Sequence, residues 1–153
     1  TAASREYLEA LPETATAGNI TLAHGSPRHP IWEYLFYATS AAASFEHFDG
    51  VACLVGHTHV PVIFERSAET GQCLAQPIRE EPLALQGPQR YIVNPGGVGQ
   101  PRDGDPRAAY ALLDTETGWL THRRVAYDVA ATQAQMRRAG LPARLVARLA
   151  FGW

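Results

Sequence analysis

The sequence contains no lysine: all 13 basic side chains are arginine. Against 15 acids they leave a formal net charge of −2, so no overall basic field marks nucleic acid or an anionic membrane as a partner. An arginine-only basic set reflects genome composition first, although guanidinium also suits bidentate contact with phosphate. Cysteine is scarce as well. Cys53 and Cys73 are the only two, too few for a disulfide framework, and buried reduced thiols in a cytosolic protein are the expectation. A zinc site joining both to nearby histidines is an alternative, but strand geometry sets Cys53 about 13 Å from His57. No apolar run approaches the roughly 20 residues that span a bilayer, and no signal-peptide pattern is present. A cytoplasmic location is therefore expected. Internal repeats, low-complexity tracts and linkers are absent. What remains is 153 residues of ordinary globular composition, 46% hydrophobic and 18% charged, which is the size of a single domain.

The pattern is organised around Leu54-Val55-Gly56-His57-Thr58-His59-Val60-Pro61. An apolar run from Val51 to Val55 reads as a buried strand, and two imidazoles follow it. In an extended backbone the side-chain period is two, so His57 and His59 are expected to project to the same side. Gly56 is expected to supply the turn and the close approach. Pro61 suits a strand that is ending or lying at an edge. Open sheets keep binding groups at strand tips, yet His-x-His is a short motif and leaves both a metal pair and two satisfied polar residues open. Ile20 to His24 repeats the arrangement: an apolar strand, an imidazole at its tip, then Gly25.

From the start of the chain, Thr1 to Leu11 carries apolar residues at helical spacing, without an obvious leading cap. A polar stretch then runs to a turn at Gly18-Asn19. Pro30 to Leu35 is an aromatic-rich turn or short helix. Thr39 to Phe48 reads as a helix capped by Thr39 or Ser40 and stopped at Asp49-Gly50, with His47 a structural residue in its last turn. Strand, helix and strand from Ile20 to Val55 form a βαβ unit. That topology places His24 and His57 at the same end of a parallel pair.

Past Pro61 the pattern turns to β. Strands are expected at Val60 to Glu65, Cys73 to Arg79, Arg90 to Asn94, Ala108 to Leu113 and Trp119 to Tyr127. The last two flank a hairpin turn, Asp114 to Gly118, with Gly at the position needing positive φ. Asn94 to Arg107 holds four Gly and three Pro, a long loop of the kind that carries binding work. Two helices follow, Val129 to Ala139 capped by Asp128, and Ala143 to Ala150 opened by Pro142. Their arginines form a solvated face.

Three segments together, Ala23 to Pro27, Gly56 to Pro61 and Asn94 to Arg102, resemble the C-terminal half of a calcineurin-like metallophosphoesterase. The branch they are most similar to is the single-domain bacterial and archaeal phosphodiesterases. The resemblance runs from about Tyr7 onward. It implies an α/β chain forming the C-terminal half of a four-layer α/β/β/α sandwich, and a metal-dependent phosphoester hydrolase using a two-metal-activated hydroxide. By resemblance His24 and His57 bind one metal and His59 the other. Both would be divalent transition metals; imidazole ligands suit Mn, Fe, Zn or Ni alike. Gly97 stands where Ser is frequent, and His29 where Asp is. Arg28 and Arg102, each beside a motif, are candidate phosphate contacts, with a surface-charge role equally open.

The family's Asp-x-His, Gly-Asp and Gly-Asn-His-Asp/Glu segments do not occur. They supply the bridging carboxylate, an Asn ligand and the His that assists the leaving group, so none of the catalytic residues lies in this chain. Residues 1–153 are therefore expected to be the C-terminal portion of one domain whose N-terminal half, very roughly 90 to 100 residues, is absent. Two cations about 3.5–4 Å apart need anionic ligands, and three neutral imidazoles supply none. Asp103 and Asp105 read as turn formers, so the chain alone is expected to be inactive and to hold at most one weakly bound ion. Its expected partners are a phosphorylated small molecule and either the missing half or a second copy, covering a bare apolar sheet face. A catalytically inert fragment acting as a metal-binding or interaction module is the alternative.

Overall fold

Alternate residues of the central strands feed two different cores, and this fixes the architecture. Cys53, Phe64 and Ile92 pack with Leu35, Ala41, Phe45 and Phe48, while their neighbours Ala52, Ile63, Tyr91 and Val93 pack with Ile20, Leu85 and Leu120. A strand that buries both faces reads as a continuous apolar run, which is what these segments are. Each fully buried Phe or Ile contributes about 1.5–3 kcal/mol, so neither face can be solvent.

The structure, a computed structural model, describes residues 1–79 and 81–153. Helix α1 (Ala2–Glu9) is followed by strands β1 (Thr14–Ala17) and β2 (Ile20–Ala23). Helix α2 (Ala38–Ser44), extended by a 3-10 turn at Phe45–His47, leads to β3 (Ala52–Leu54). Then come β4 (Val62–Arg66), β5 (Cys73–Gln76), β6 (Leu83–Ala84), β7 (Arg90–Asn94), β8 (Ala108–Leu113) and β9 (Trp119–Val125). Helices α3 (Val129–Arg138) and α4 (Ala143–Ala147), with a last 3-10 turn at Arg148–Ala150, close the chain. The strands form a six-stranded mixed sheet in the order β1-β2-β3-β7-β4-β5 and a three-stranded sheet in the order β6-β9-β8. The fold is mixed α/β, with α2 on one face of the large sheet and the small sheet on the other.

The expected βαβ unit is present: β2 and β3 are parallel, with Leu22 opposite Leu54. β7 continues the parallel set beside β3, so three strands end on one side, at His24, at Val55-Gly56 and at Asn94. The 114–118 turn is the expected hairpin, with Gly118 at φ +72°.

Several expectations are corrected. Thr1 does cap α1, its hydroxyl accepting from the Ser4 amide at 3.2 Å. The polar stretch before Gly18 is a strand, β1, paired with β2 though exposed along its whole length. Only the Gly18-Asn19 hairpin and the ladder to β2 hold it, because its own side chains bury nothing. Strand β6 is too short to read from two residues. Helix α2 is capped by neither Thr39 nor Ser40: its N-cap is Tyr37, with no side-chain hydrogen bond. Of the two readings of Pro30 to Leu35, the turn holds at residues 30–32 and no helix forms there.

At the other end of α2, Arg90 replaces a side-chain cap. Its guanidinium donates to the carbonyls of Phe45 at 2.9 Å, Gly50 at 3.0 Å and Phe48, and lies 4.3 Å over the Phe48 ring. A cation on the last carbonyls of a helix satisfies acceptors that would otherwise be orphaned. Helix α1, by contrast, has no buried residue and shows Tyr7 and Leu8 to solvent. No helix among the described residues is long and apolar enough to cross a membrane.

Candidate metal centre

β2 ends in His24 and β3 runs on to His57, and the parallel pairing brings the two rings together. Gly56 N–H donates to the His24 carbonyl at 2.9 Å, tying the tips. His24 Nε2 and His57 Nδ1 lie 2.8 Å apart, with ring centroids at 4.7 Å and planes at 65°. Two imidazole nitrogens on one ion at about 2.1 Å stand about 3.0 Å apart at a right angle and about 3.4 Å apart at the tetrahedral angle, so the rings need to spread by only a few tenths of an ångström. The donor set therefore fits a shared divalent cation.

His59 is held differently. Its Nδ1–H donates to the Gln100 carbonyl at 2.7 Å, which leaves Nε2 with its lone pair free. A backbone carbonyl on one ring nitrogen is the usual way a histidine is oriented to present the other to a metal. Among the described residues no three His, Cys, Asp or Glu side chains converge tightly enough to hold a single ion. The arrangement is thus two imidazoles together and one apart. Neither Cys53 nor Cys73 joins them; both are free thiols, and burial pushes Cys53 up to about 12.

The backbone of the histidine loop departs from expectation. His57 and His59 are not extended: their φ angles are 62° and 60°, and they are the only non-glycine residues with positive φ among those described. The period-two argument therefore does not apply. Gly56, expected to absorb the turn, has an ordinary φ, and a Cβ there would meet nothing closer than 3.6 Å. The left-handed region costs a side-chain-bearing residue roughly 1–2 kcal/mol, and something must hold both histidines in it.

That support is Asn94, at the tip of β7, with Thr58 between the two histidines. Each is 1% exposed. The Asn94 amide donates to the Gly56 carbonyl and to Thr58 Oγ1 at 2.8 Å, and its Oδ1 accepts from Gly96 N–H at 2.9 Å. Thr58 Oγ1 also accepts from Val60 N–H at 3.2 Å. Sequence reasoning placed Asn94 only at the edge of a loop. Its one signal was an Asn closing a buried β-branched strand, where an amide needs partners.

The Gly-rich loop clasps His59. Arg102 N–H donates to the His59 carbonyl at 3.2 Å. Gly97 lies flat against the ring: a Cβ there would sit 3.1 Å from His59 Cβ and Cγ, so a larger residue would push the ring by a few tenths of an ångström. The far end of the loop is turned to arginine, with Asp103 paired to Arg124 and Asp105 to Arg107. Neither acid is free for the histidines.

Among the described residues no carboxylate acts on the His57 ring. Burial, then the neighbouring His24, His59 and Arg102, hold the His57 imidazole below its usual value despite a backbone hydrogen bond at Trp32. The neutral ring is the form that binds a cation. Arg102 lies close enough to act on His57, and its guanidinium donates to Gln100 Oε1 at 2.9 Å within its own loop. Arg28 is instead committed to Glu33. Burial opposes ionisation of Glu33, but hydrogen bonds from Arg28 and Ser26 outweigh it and keep the carboxyl below its ordinary range.

Comparison with known proteins agrees with this geometry. Residues 2–118 match the calcineurin-like phosphoesterase superfamily domain. A Methanocaldococcus jannaschii protein is 33% identical over 154 residues, which take in 96% of this chain and 59% of that protein. The crystal structure of a metallophosphoesterase from Sphaerobacter thermophilus superposes with a TM-score of 0.92 at 49% identity, over all of this chain and 62% of that one. A Pyrococcus horikoshii structure shares the fold alone, with a TM-score of 0.70 at 20% identity over 99% of this chain and 55% of that one. The chain thus spans about three-fifths of the length of the relatives it matches. Paired imidazoles at parallel strand tips, a third on a strained loop and a family match that encloses all three lead to one conclusion: this chain belongs to the calcineurin-like phosphoesterase superfamily.

Proposed function

We propose that this chain supplies the imidazole side of a two-metal centre in a metal-dependent phosphoester hydrolase, with His24 and His57 holding one divalent ion and His59 the other. The observation that carries the reading is the convergence of His24 Nε2 and His57 Nδ1 at 2.8 Å from two parallel strand tips. When bound, the ions supply positive charge to the phosphoryl oxygens and acidify a water. The protein's part is to hold three ring nitrogens ready. Gln100 fixes the tautomer of His59, and the Asn94–Thr58 network fixes the loop that carries His57 and His59.

Arg102, beside His57 and bonded within its own loop, is the phosphate contact in this reading. Arg28 has less support, since Glu33 already occupies its guanidinium. The anionic ligands that two ions require come, in this reading, from the two-fifths of the relatives' length that this chain does not span. The apolar side chains that α1 leaves exposed, Tyr7 and Leu8, are consistent with such a covering segment. A metal-binding module without catalysis is the second reading. The pairing of Asp103 and Asp105 with arginines favours it for residues 1–153 by themselves.

The test is hydrolysis of bis-p-nitrophenyl phosphate by the complete protein. His59→Ala is expected to lower it by more than a hundredfold, since loss of a residue that merely orients a ligand already costs 10- to 100-fold. Near-normal turnover would refute the assignment.

A further inference from the structure

Beside the histidines the chain displays aromatic rings where a soluble surface would ordinarily be polar. Trp32, Tyr34 and Phe36 are 78%, 47% and 47% exposed, while Leu35 between them is 1% exposed. Burial alternates along the segment, with Glu33 half-buried and Leu35 buried between the three exposed rings. Leu35 enters the core beneath α2, and Glu33 is fastened by Ser26 and Arg28. The odd positions anchor the strip from below and the even ones present rings outward.

The rings run directly out from the candidate metal centre. Tyr34 lies 4.1 Å from the His57 ring, centroid to centroid. Phe36 follows at 5.7 Å from Tyr34, with the two planes only 4° apart. A flat molecule inserted between two rings needs about 7 Å, twice a carbon contact of about 3.5 Å. The 5.7 Å spacing excludes insertion, and Tyr34 already stacks with both His57 and Phe36, so a further ring can join only at the open Phe36 end of the stack. Flat π-systems stack on such open faces without regard to their edge chemistry.

We propose that Phe36 and Trp32, with Tyr34 stacked against both Phe36 and His57, form a substrate subsite that takes the flat aromatic group of a phosphoester, a nucleobase or an aryl ring, while its phosphate meets the histidines. The proposal rests on the phosphoesterase reading for the phosphate end only. The Phe36 face, two rings out from His57, lies where the group esterified to a phosphate at the histidines would come to rest. Its rigid anchoring at Leu35 and Glu33 means that little ordering is required on binding.

The test is isothermal titration of the intact protein with AMP, phenyl phosphate and ribose 5-phosphate, with and without manganese. AMP is expected to bind about tenfold tighter than ribose 5-phosphate, the effect of one stacked base. Phe36→Ala and Trp32→Ala should each collapse that ratio toward one, and Phe36→Tyr should restore it. Both alanine sites are exposed, so folding is not at stake, and circular dichroism checks it. Phenyl phosphate binding like AMP marks any aryl ring as sufficient; binding like ribose 5-phosphate marks a nucleobase. AMP and ribose 5-phosphate binding alike, or variants that leave the ratio unmoved, would overturn the proposal. So would a Phe36-dependent dimer without AMP preference. If manganese fails to bind but the AMP preference persists, the phosphoesterase reading fails and the subsite stands. If metal binds and hydrolysis proceeds with no preference, the reverse holds.

Discussion

The two strand tips that carry histidine achieve the same presentation by opposite means. At β2, His24 lies on unstrained backbone and its ring is exposed. At β3, His57 and His59 both occupy the left-handed region, half-buried and braced by Thr58 and Asn94. One tip simply ends in an imidazole. The other folds back on itself so that two imidazoles one residue apart face different partners, His57 toward His24 and His59 toward the Gly-rich loop. An extended backbone would have set them side by side. The strain is what allows one short loop to serve two positions, and a buried amide on a third strand holds it in place.

This contrast can be broken at the brace. Asn94→Ala leaves the Gly56 carbonyl, Thr58 Oγ1 and the Gly96 amide short of a partner. A loss of about 2–4 kcal/mol in chemical denaturation is expected, together with loss of metal affinity at the β3 tip. A cost under 1 kcal/mol would mean that the loop holds itself.

A finer cut compares glycine with alanine at each tip. At His57 or His59, Gly should be more stable than Ala by about 1 kcal/mol, because only Gly occupies positive φ freely. At His24, Ala should equal or exceed Gly. The same sign at all three positions would remove the asymmetry.

The smallest effect lies at the acid end of the Gly-rich loop. Hydrogen bonds from Arg107 outweigh partial burial and hold Asp105 at about 2, below its ordinary 3.8. A folded value depressed below the unfolded one gives stability that is present above about pH 4 and lost as pH falls toward 2. The pair is partly solvent-exposed, so its removal by Asp105→Asn should cost less than about 1 kcal/mol. Unfolding curves at pH 7 and pH 2.5 should differ less in the variant than in the wild type.

Much of the scaffold was legible because local signals and burial agree. Arg90–Asn94 and Ala108–Leu113 have the strand bounds that their apolar patterns predict, and the parallel β2–β3 pair follows from an intervening helix. β1 was not legible, because Thr14 to Ala17 buries nothing and exists through its ladder to β2. At the site, the residue types were legible and the backbone was not. Positive φ at His57 and His59 goes with hydrogen bonds from Asn94 to Gly56 and Thr58 on the same loop, and Asn94 lies 35 or more residues away in sequence. No local pattern carries that constraint. Arg28 shows the converse: its position beside a motif suggested phosphate, while the structure gives its charge to Glu33. The aromatic strip was visible as composition, but its outward face appears only once Leu35 is seen in the core.

The account turns on His24 and His57 sharing a cation. Titrating residues 1–153 with zinc, while following the imidazole nitrogen resonances, tests this most directly. The account predicts one weakly bound ion, with His24 Nε2 and His57 Nδ1 shifting together at the same zinc concentration. Independent shifts of those two nitrogens, or two tight sites without any added carboxylate, would contradict it.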